Sequence, residues 1–221
     1  ESGLVIDRSE EDGSQHKRYD RFRDRIMFPI RNTKGQVIGF GGRVMGAGEP
    51  KYLNSPETPL FQKGSELYGL FEARQAIRDK GYVLVTEGYM DVVALAQFGF
   101  EQAVATLGTA CTPTHVQKLL RQTDQVIFSF DGDAAGQKAA LRAYEDDQKF
   151  VTQTFVAVES SGMDPCELRQ AHGDAALRDL IASRIPLFEF AIRTELKKHD
   201  LQTAEGRVNA LSNTAPMVAN I

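Results

Sequence analysis

From Gly81 onward, short apolar runs alternate with stretches of helical spacing, and that alternation predicts the fold class. YVLVT (82–86), QAVATL (102–107), QVIFSF (125–130) and TQTFVAV (152–158) have the length and apolar content of strands buried on both faces. Between them, YMDVVALAQFG (89–99) has helical spacing and ends at glycine. TPTHVQKLLRQT (112–123) reads as a helix with Thr112 as N-cap and Pro113 at its first position. A longer helix is predicted over DAAGQKAALRAYEDDQKF. Four short strands separated by helices make an α/β domain, a mostly parallel sheet with flanking helices. Beyond Asp164 the chain reads as helical: DPCELRQAHG, DAALRDLIASRI, PLFEFAIRTELKKHD and AEGRVNALSNT.

Upstream of Gly81 the pattern differs. IMFPI and QVIGFG are apolar runs separated by RNTKG, a hairpin-like connection. If that strand begins near Arg21, then Arg21, Arg23 and Arg25 alternate and share one face. PKYLNSPETPLFQKG shows no periodicity; an ordered functional loop and a plain linker both fit it. The expected organisation is a basic, β-rich segment over 1–75, a metal-binding α/β domain over 76–165 and a helical segment over 166–221.

Charge sharpens this division. The 221 residues carry a formal net charge of −4. Between Lys17 and Lys51, however, nine basic residues face three acidic ones, so this segment is +6 and the remainder −10. Three guanidiniums on one face suit a phosphate backbone, because arginine offers a planar fork of donors. A solvated edge strand whose charges discourage aggregation fits the same residues. The 42% hydrophobic and 25% charged content is that of an ordinary globular protein, and no apolar run approaches a membrane span. The chain opens at Glu1 rather than Met and reads as an excised fragment. Cys111 and Cys166 form neither a disulfide framework nor a zinc motif, and His16, His115, His172 and His199 lack ligand spacing. A reduced, cytoplasmic setting is expected.

The candidate chemistry lies just past the predicted strands: Glu87 and Asp91 in EGYMD, Asp131 and Asp133 in DGD, and Asp164 in MDP. In such sheets the carboxyl ends of the strands share one edge, where ligands bind. Converging carboxylates repel one another unless a cation lies among them, and a hard divalent ion fits oxygen ligands. Each acid also has a plainer reading. Asp91 falls in a first helical turn, Asp133 can cap a helix, and Asp164 before Pro165 suits an ordinary helix start. DGDAAGQKAALR is not a calcium loop, since Arg142 stands where a bidentate glutamate is needed. GFGGR lacks the third glycine of a dinucleotide fingerprint, and neither GxxxxGK[ST] nor GxSxG occurs.

EGYMD followed by DGDAAG resembles the Toprim domain shared by primases, topoisomerases and some nucleases. RFRDRIMFPI, VIGFGGRV, PKYLNSPET, FQKG, LYGL and EGYMDVVALAQFG resemble the catalytic core of bacterial replicative DNA primases of the DnaG type, from about Tyr19 to the C-terminus. The resemblance implies metal-dependent synthesis of RNA primers on single-stranded DNA, with a Toprim nuclease or a non-catalytic nucleic-acid-binding module as alternatives. It implies two or more Mg2+ or Mn2+ ions held by Glu87, Asp91, Asp131, Asp133 and Asp164, with Glu87, Asp131 and Asp133 catalytic. It assigns Arg43, Lys51, Tyr52, Asn54 and Lys63 to the ribonucleoside triphosphate, and Arg21, Arg23, Arg43 and Lys51 to nucleic acid. Zinc, the replicative helicase and single-strand-binding protein are expected to engage domains outside this sequence, and the chain itself is expected to be monomeric. One departure stands out. Many such primases carry a second acid in the third motif, as DPD, whereas this chain has Cys166 there.

Overall fold

The computed structural model describes residues 3–8, 17–130, 153–159 and 161–219. Two strands, β1 (Val5–Arg8) and β2 (Lys17–Asp20), pair antiparallel. They precede a three-stranded antiparallel sheet of β3 (Arg25–Arg31), β4 (Val37–Val44) and β5 (Tyr52–Asn54). The predicted hairpin is therefore present, and Asn32 closes it, its side chain accepting from the backbone N–H of Lys34 and Gln36. The arginine alternation is not. β3 begins only at Arg25, and Asp24 adopts a left-handed φ of 52°, which no strand tolerates. Arg21 and Arg23 thus lie in the bend before the strand rather than along its face.

After α1 (Leu70–Lys80) the alternating pattern is realised as β6 (Val83–Thr86), α2 (Tyr89–Gln97), β7 (Ala103–Ala105), α3 (Pro113–Leu120), β8 (Val126–Phe130) and β9 (Thr154–Val158). β7, β6, β8 and β9 lie side by side and parallel. The helix predicted between β8 and β9, with Asp131 and Asp133 before it, lies outside the described residues. α4 (Pro165–Ala182) follows and breaks at Gly173, whose φ of 81° separates the two predicted helical runs. The fifth strand of this sheet was not foreseen. β10 (Ile185–Pro186) pairs antiparallel with β9 before α5 (Leu187–Leu196) and α6 (Ala204–Ala219).

The strand sequences are apolar throughout because both faces are covered. Val83 and Val85 of β6, Val126 and Phe128 of β8 and Val156 of β9 join Leu70, Ile77, Leu119 and Leu187 in one core. The intervening Leu84, Ile127 and Ala157 join Leu95, Leu168, Leu177 and Ile181 on the other face. A third, smaller cluster of Phe28, Ile30, Phe61, Tyr89 and Leu107 forms the seam between the basic sheet and this α/β domain.

PKYLNSPETPLFQKG is an ordered loop rather than a linker. Phe61 is fully buried, and the Ser55 hydroxyl accepts from Phe40 N–H. The loop's far end is fastened to α3, where Thr112 Oγ1 donates to the Gly64 carbonyl at 2.6 Å and His115 Nε2 meets the Lys63 carbonyl at 2.9 Å. His115 Nδ1 accepts from Thr112 N–H, so Nε2 carries the proton of a neutral ring.

Two outcomes test this packing. Gly41 leaves room for the Tyr89 ring, and a Cβ there would lie 2.7 Å from Tyr89 Cζ. Gly41→Ala should cost about 1–3 kcal/mol in urea unfolding, since that ring is buried and pinned. Burial holds the His115 pKa below its ordinary value. The unfolded chain then binds a proton that the folded chain refuses, so stability is full above about pH 6.5 and falls as pH drops below it. Unfolding midpoints at pH 7.5 and 5.5 should show this loss, and His115→Gln should shrink it.

Candidate metal centre and nucleic-acid interface

The acidic corner is built from two helix starts and a strand end. β6 delivers Glu87, an exposed residue, at its carboxyl edge. Gly88 opens α2, and the Asp91 carboxylate accepts the Gly88 N–H at 3.0 Å. Asp164 caps α4: its Oδ1 accepts from Glu167 N–H at 2.7 Å, while Glu167 accepts from Asp164 N–H at 3.3 Å. Capping consumes only part of what each carboxylate offers, because an ionised carboxyl accepts through about four lone-pair sites.

These elements converge. Glu87, Asp91 and Asp164 line one cavity of about 310 Å³, with Tyr52 and Asn54 of β5 and Tyr89 of α2 on its other walls. Asp91, Asp164 and Cys166 form a group whose ligand atoms all lie within 4.8 Å of one another. Two acids and a thiol offer a divalent cation three donors, two of them the hard oxygens that Mg2+ or Mn2+ takes. The Cys166 thiol donates to the Asp91 carbonyl at 3.6 Å. Burial, reinforced by the Asp91 and Asp164 charges, pushes its pKa up to about 12.

The basic residues occupy a different concavity. Arg21, Arg23 and Arg25 surround a broad cleft of about 740 Å³ that also includes Leu53. Alternation along β5 explains the division: Tyr52 and Asn54 face the acidic cavity, and Leu53 between them faces the arginines. Arg43 lies opposite Tyr52 in the β4–β5 ladder, and Lys51 Nζ rests 5.8 Å from the Tyr52 ring centre. Lys63 lines neither cavity; its backbone is held by Glu57 and His115.

Asn54 joins the two halves. Its Nδ2 donates to the Leu107 carbonyl at 2.8 Å, and its Oδ1 accepts from the Tyr89 hydroxyl. Arg21 clamps the Asn54 carbonyl through Nε and Nη2 at 3.3 and 3.2 Å. Tyr89 was not singled out by sequence reasoning, nor were Thr106 and Gly108 beside it in the cavity. The available signal was an aromatic residue inside EGYMD, between two carboxylates, at the first position of a helix.

Comparison with known proteins agrees with this geometry. Residues 2–74 match the family model of the DNA primase catalytic core N-terminal domain, and residues 81–158 match the Toprim domain. Residues 188–221 match the DnaB-helicase binding domain of primase. This last match falls on α5 and α6, inside the chain, where the sequence reading placed helicase binding elsewhere. The DNA primase of Streptomyces coelicolor is 50% identical over 210 residues, covering 91% of this chain and 33% of that protein. The chain thus spans about a third of the length of the curated relatives it matches. A crystal structure of a DNA primase domain from Pseudomonas aeruginosa is 46% identical, with a TM-score of 0.87 over all of this chain and 68% of that one. A DnaG primase catalytic domain bound to single-stranded DNA is 43% identical, with a TM-score of 0.88, over all of this chain and 70% of that one. With its acids at the sheet edge and these matches from end to end, the chain belongs to the DnaG-type DNA primase family, as part of the catalytic core.

Proposed function

We propose that this chain carries out metal-dependent synthesis of short RNA primers on a single-stranded DNA template. The observation that supports this best is the convergence of Glu87, Asp91 and Asp164 on one cavity whose opposite wall, Tyr52 and Asn54, belongs to the basic sheet. A phosphoryl-transfer site needs both halves, carboxylates for cations and a cationic side for substrate phosphates.

In this reading the 3′-hydroxyl of one ribonucleotide attacks the α-phosphate of the next, and pyrophosphate leaves. Mg2+ or Mn2+ bound there would supply the positive charge that offsets the developing negative charge and acidifies the attacking hydroxyl. Glu87, Asp91 and Asp164 provide oxygens for it, together with Asp131 and Asp133, which lie outside the described residues. Glu87, Asp131 and Asp133 are the proposed catalytic acids. Arg43, Lys51 and Lys63 hold triphosphate charge, and Tyr52 offers an aromatic face beside the cavity. Asn54 lines the cavity for the nucleotide, and its amide, engaged by Leu107 and Tyr89, also fixes the wall against which the nucleotide lies. Arg21, Arg23, Arg43 and Lys51 follow the template backbone by charge rather than sequence.

The proposed setting is the bacterial cytoplasm, with the chain a monomer organised as segments 1–75, 76–165 and 166–221. The replicative helicase is the proposed partner of α5 and α6, by the helicase-binding description of the matching segment. Single-strand-binding protein and zinc would engage other parts of a longer primase. No described helix is long and apolar enough to cross a membrane.

Incubating the chain with single-stranded DNA, ribonucleotides and Mg2+ or Mn2+ should yield oligoribonucleotides. Glu87→Gln and Asp164→Asn should each cut the yield by roughly 100-fold, the scale for removing one electrostatic partner of a transition state. Shortened DNA without RNA product would instead identify a nuclease. Exposed Arg23 gives a second measure. Arg23→Ala should weaken single-strand binding for all sequences alike and flatten the slope of log affinity against log salt by about 0.7.

A further inference from the structure

The start of α3 carries a row of polar side chains that all reach one loop. Thr112, His115 and Lys118 follow one another at a spacing of three and share one face of the helix. Thr112 Oγ1 donates to the Gly64 carbonyl at 2.6 Å, and His115 Nε2 donates to the Lys63 carbonyl at 2.9 Å. Lys118 Nζ lies 2.9 Å from the Glu66 carboxylate, with both side chains largely buried. Within the loop, Glu57 accepts the Lys63 N–H at 3.0 Å, and further on Tyr68 and Ala105 exchange two backbone hydrogen bonds. The segment from Lys63 to Tyr68 is thereby fastened along its length to the end of β7 and the first turns of α3.

The chain between β7 and α3 contains Thr106 and Gly108, which line the acidic cavity. Lys63 is thus held in one framework with the cavity wall. Both its backbone polar groups are engaged, while its ammonium has no hydrogen bond or ion pair among the described residues. A lysine ammonium rides on a flexible four-carbon stem, so the place where its charge is available depends on where its backbone is held. His115 is itself fully buried, with Nδ1 accepting the Thr112 N–H. A buried histidine that only completes the packing would affect stability, and its loss would be felt whatever side chain stood at position 63.

We propose that Thr112 and His115 are positioning residues for the nucleotide, holding the Lys63 backbone so that its ammonium meets the triphosphate beside the acidic cavity. This rests on the reading of Lys63 as a triphosphate-binding cation. Fixing the loop in advance removes an ordering cost that nucleotide binding would otherwise carry. Neither residue is catalytic; both act through Lys63.

The test is calorimetric titration of ATP with Mg2+ into the chain without DNA. His115→Leu, which fills the site but cannot donate, should weaken ATP binding about fivefold, the scale of one hydrogen bond. His115→Gln, which can still donate to the Lys63 carbonyl, should recover most of that loss, and Thr112→Val should behave like His115→Leu. Lys63→Ala should weaken binding by itself, and in its background neither His115→Leu nor Thr112→Val should weaken it further. Affinity for single-stranded DNA at fixed salt should be the same in His115→Leu and Thr112→Val as in the parent. If His115→Leu fails to fold, as judged by circular dichroism, Thr112→Val and its double variant with Lys63→Ala decide. Parental ATP affinity in both single variants, equal losses with and without Lys63, or a matching loss of DNA affinity overturns the positioning role alone. A parent chain that binds no ATP, or Lys63→Ala binding it as tightly as the parent, overturns the triphosphate reading of Lys63 and this proposal with it.

Discussion

Everything at the proposed site depends on the side chain and carbonyl of Asn54. Its amide reaches 53 residues along the chain to the Leu107 carbonyl and meets the Tyr89 hydroxyl, while its own carbonyl accepts the Arg21 fork. Each such bond contributes only about 0.5–1.5 kcal/mol net, but leaving one half-made inside a part-buried seam costs more. Aromatic packing reinforces it. Tyr89 stacks on Phe28 with ring centres 5.5 Å apart and meets Tyr68 edge-on at 4.9 Å. Burial pushes the Tyr89 phenol upward in pKa, so it stays a neutral donor. One asparagine thereby registers the basic sheet against the acidic edge, and a small displacement there would move cations and carboxylates apart.

The two readings of the acids, helix caps and metal ligands, are not alternatives. Asp91 accepts the Gly88 N–H and Asp164 the Glu167 N–H, and a capping bond does not exhaust the roughly four lone-pair sites of a carboxylate. Capping serves the site by fixing each carboxylate near the first turn of a helix, where backbone N–H groups favour negative charge. An uncapped acid on a loop would have to lose side-chain freedom on binding a cation. Here much of that entropy has already been lost in folding.

What was legible in the sequence follows from range. Continuous apolar runs such as VLVT and TFVAV reported a doubly covered sheet, because a strand buried on both faces has no solvent side to carry alternating polar residues. Glu87, Asp91 and Asp164, which share one cavity, were readable through their position after those runs. Arg21, Arg23 and Arg25 misled, since alternate spacing means a shared face only inside a strand, and Asp24 at φ 52° breaks it. The three arginines nevertheless gather around one cleft, by way of a bend rather than a pleat. β10 was invisible because two residues ending in proline carry no periodicity, and only β9 makes them a strand. Tyr89 and Asn54 were opaque as a pair for a related reason: 35 residues separate them, and nothing local to either records the other.

The division between two clefts follows from a strand of only three residues. Tyr52 and Asn54 point one way and Leu53 the other, so β5 is a wall with a charged cleft on each side, cationic behind and anionic in front. Exposed charges are screened beyond about 8 Å at physiological ionic strength, so the +6 segment cannot neutralise the acids from a distance. It must act through whatever crosses the wall. A polyanion lying in the arginine cleft whose end turns past Tyr52 would carry phosphate toward the carboxylates while its own backbone charge stays with the guanidiniums. That arrangement keeps like charges apart along the path and brings opposite ones together at both ends of it, with cations needed only where phosphate and carboxylate finally meet.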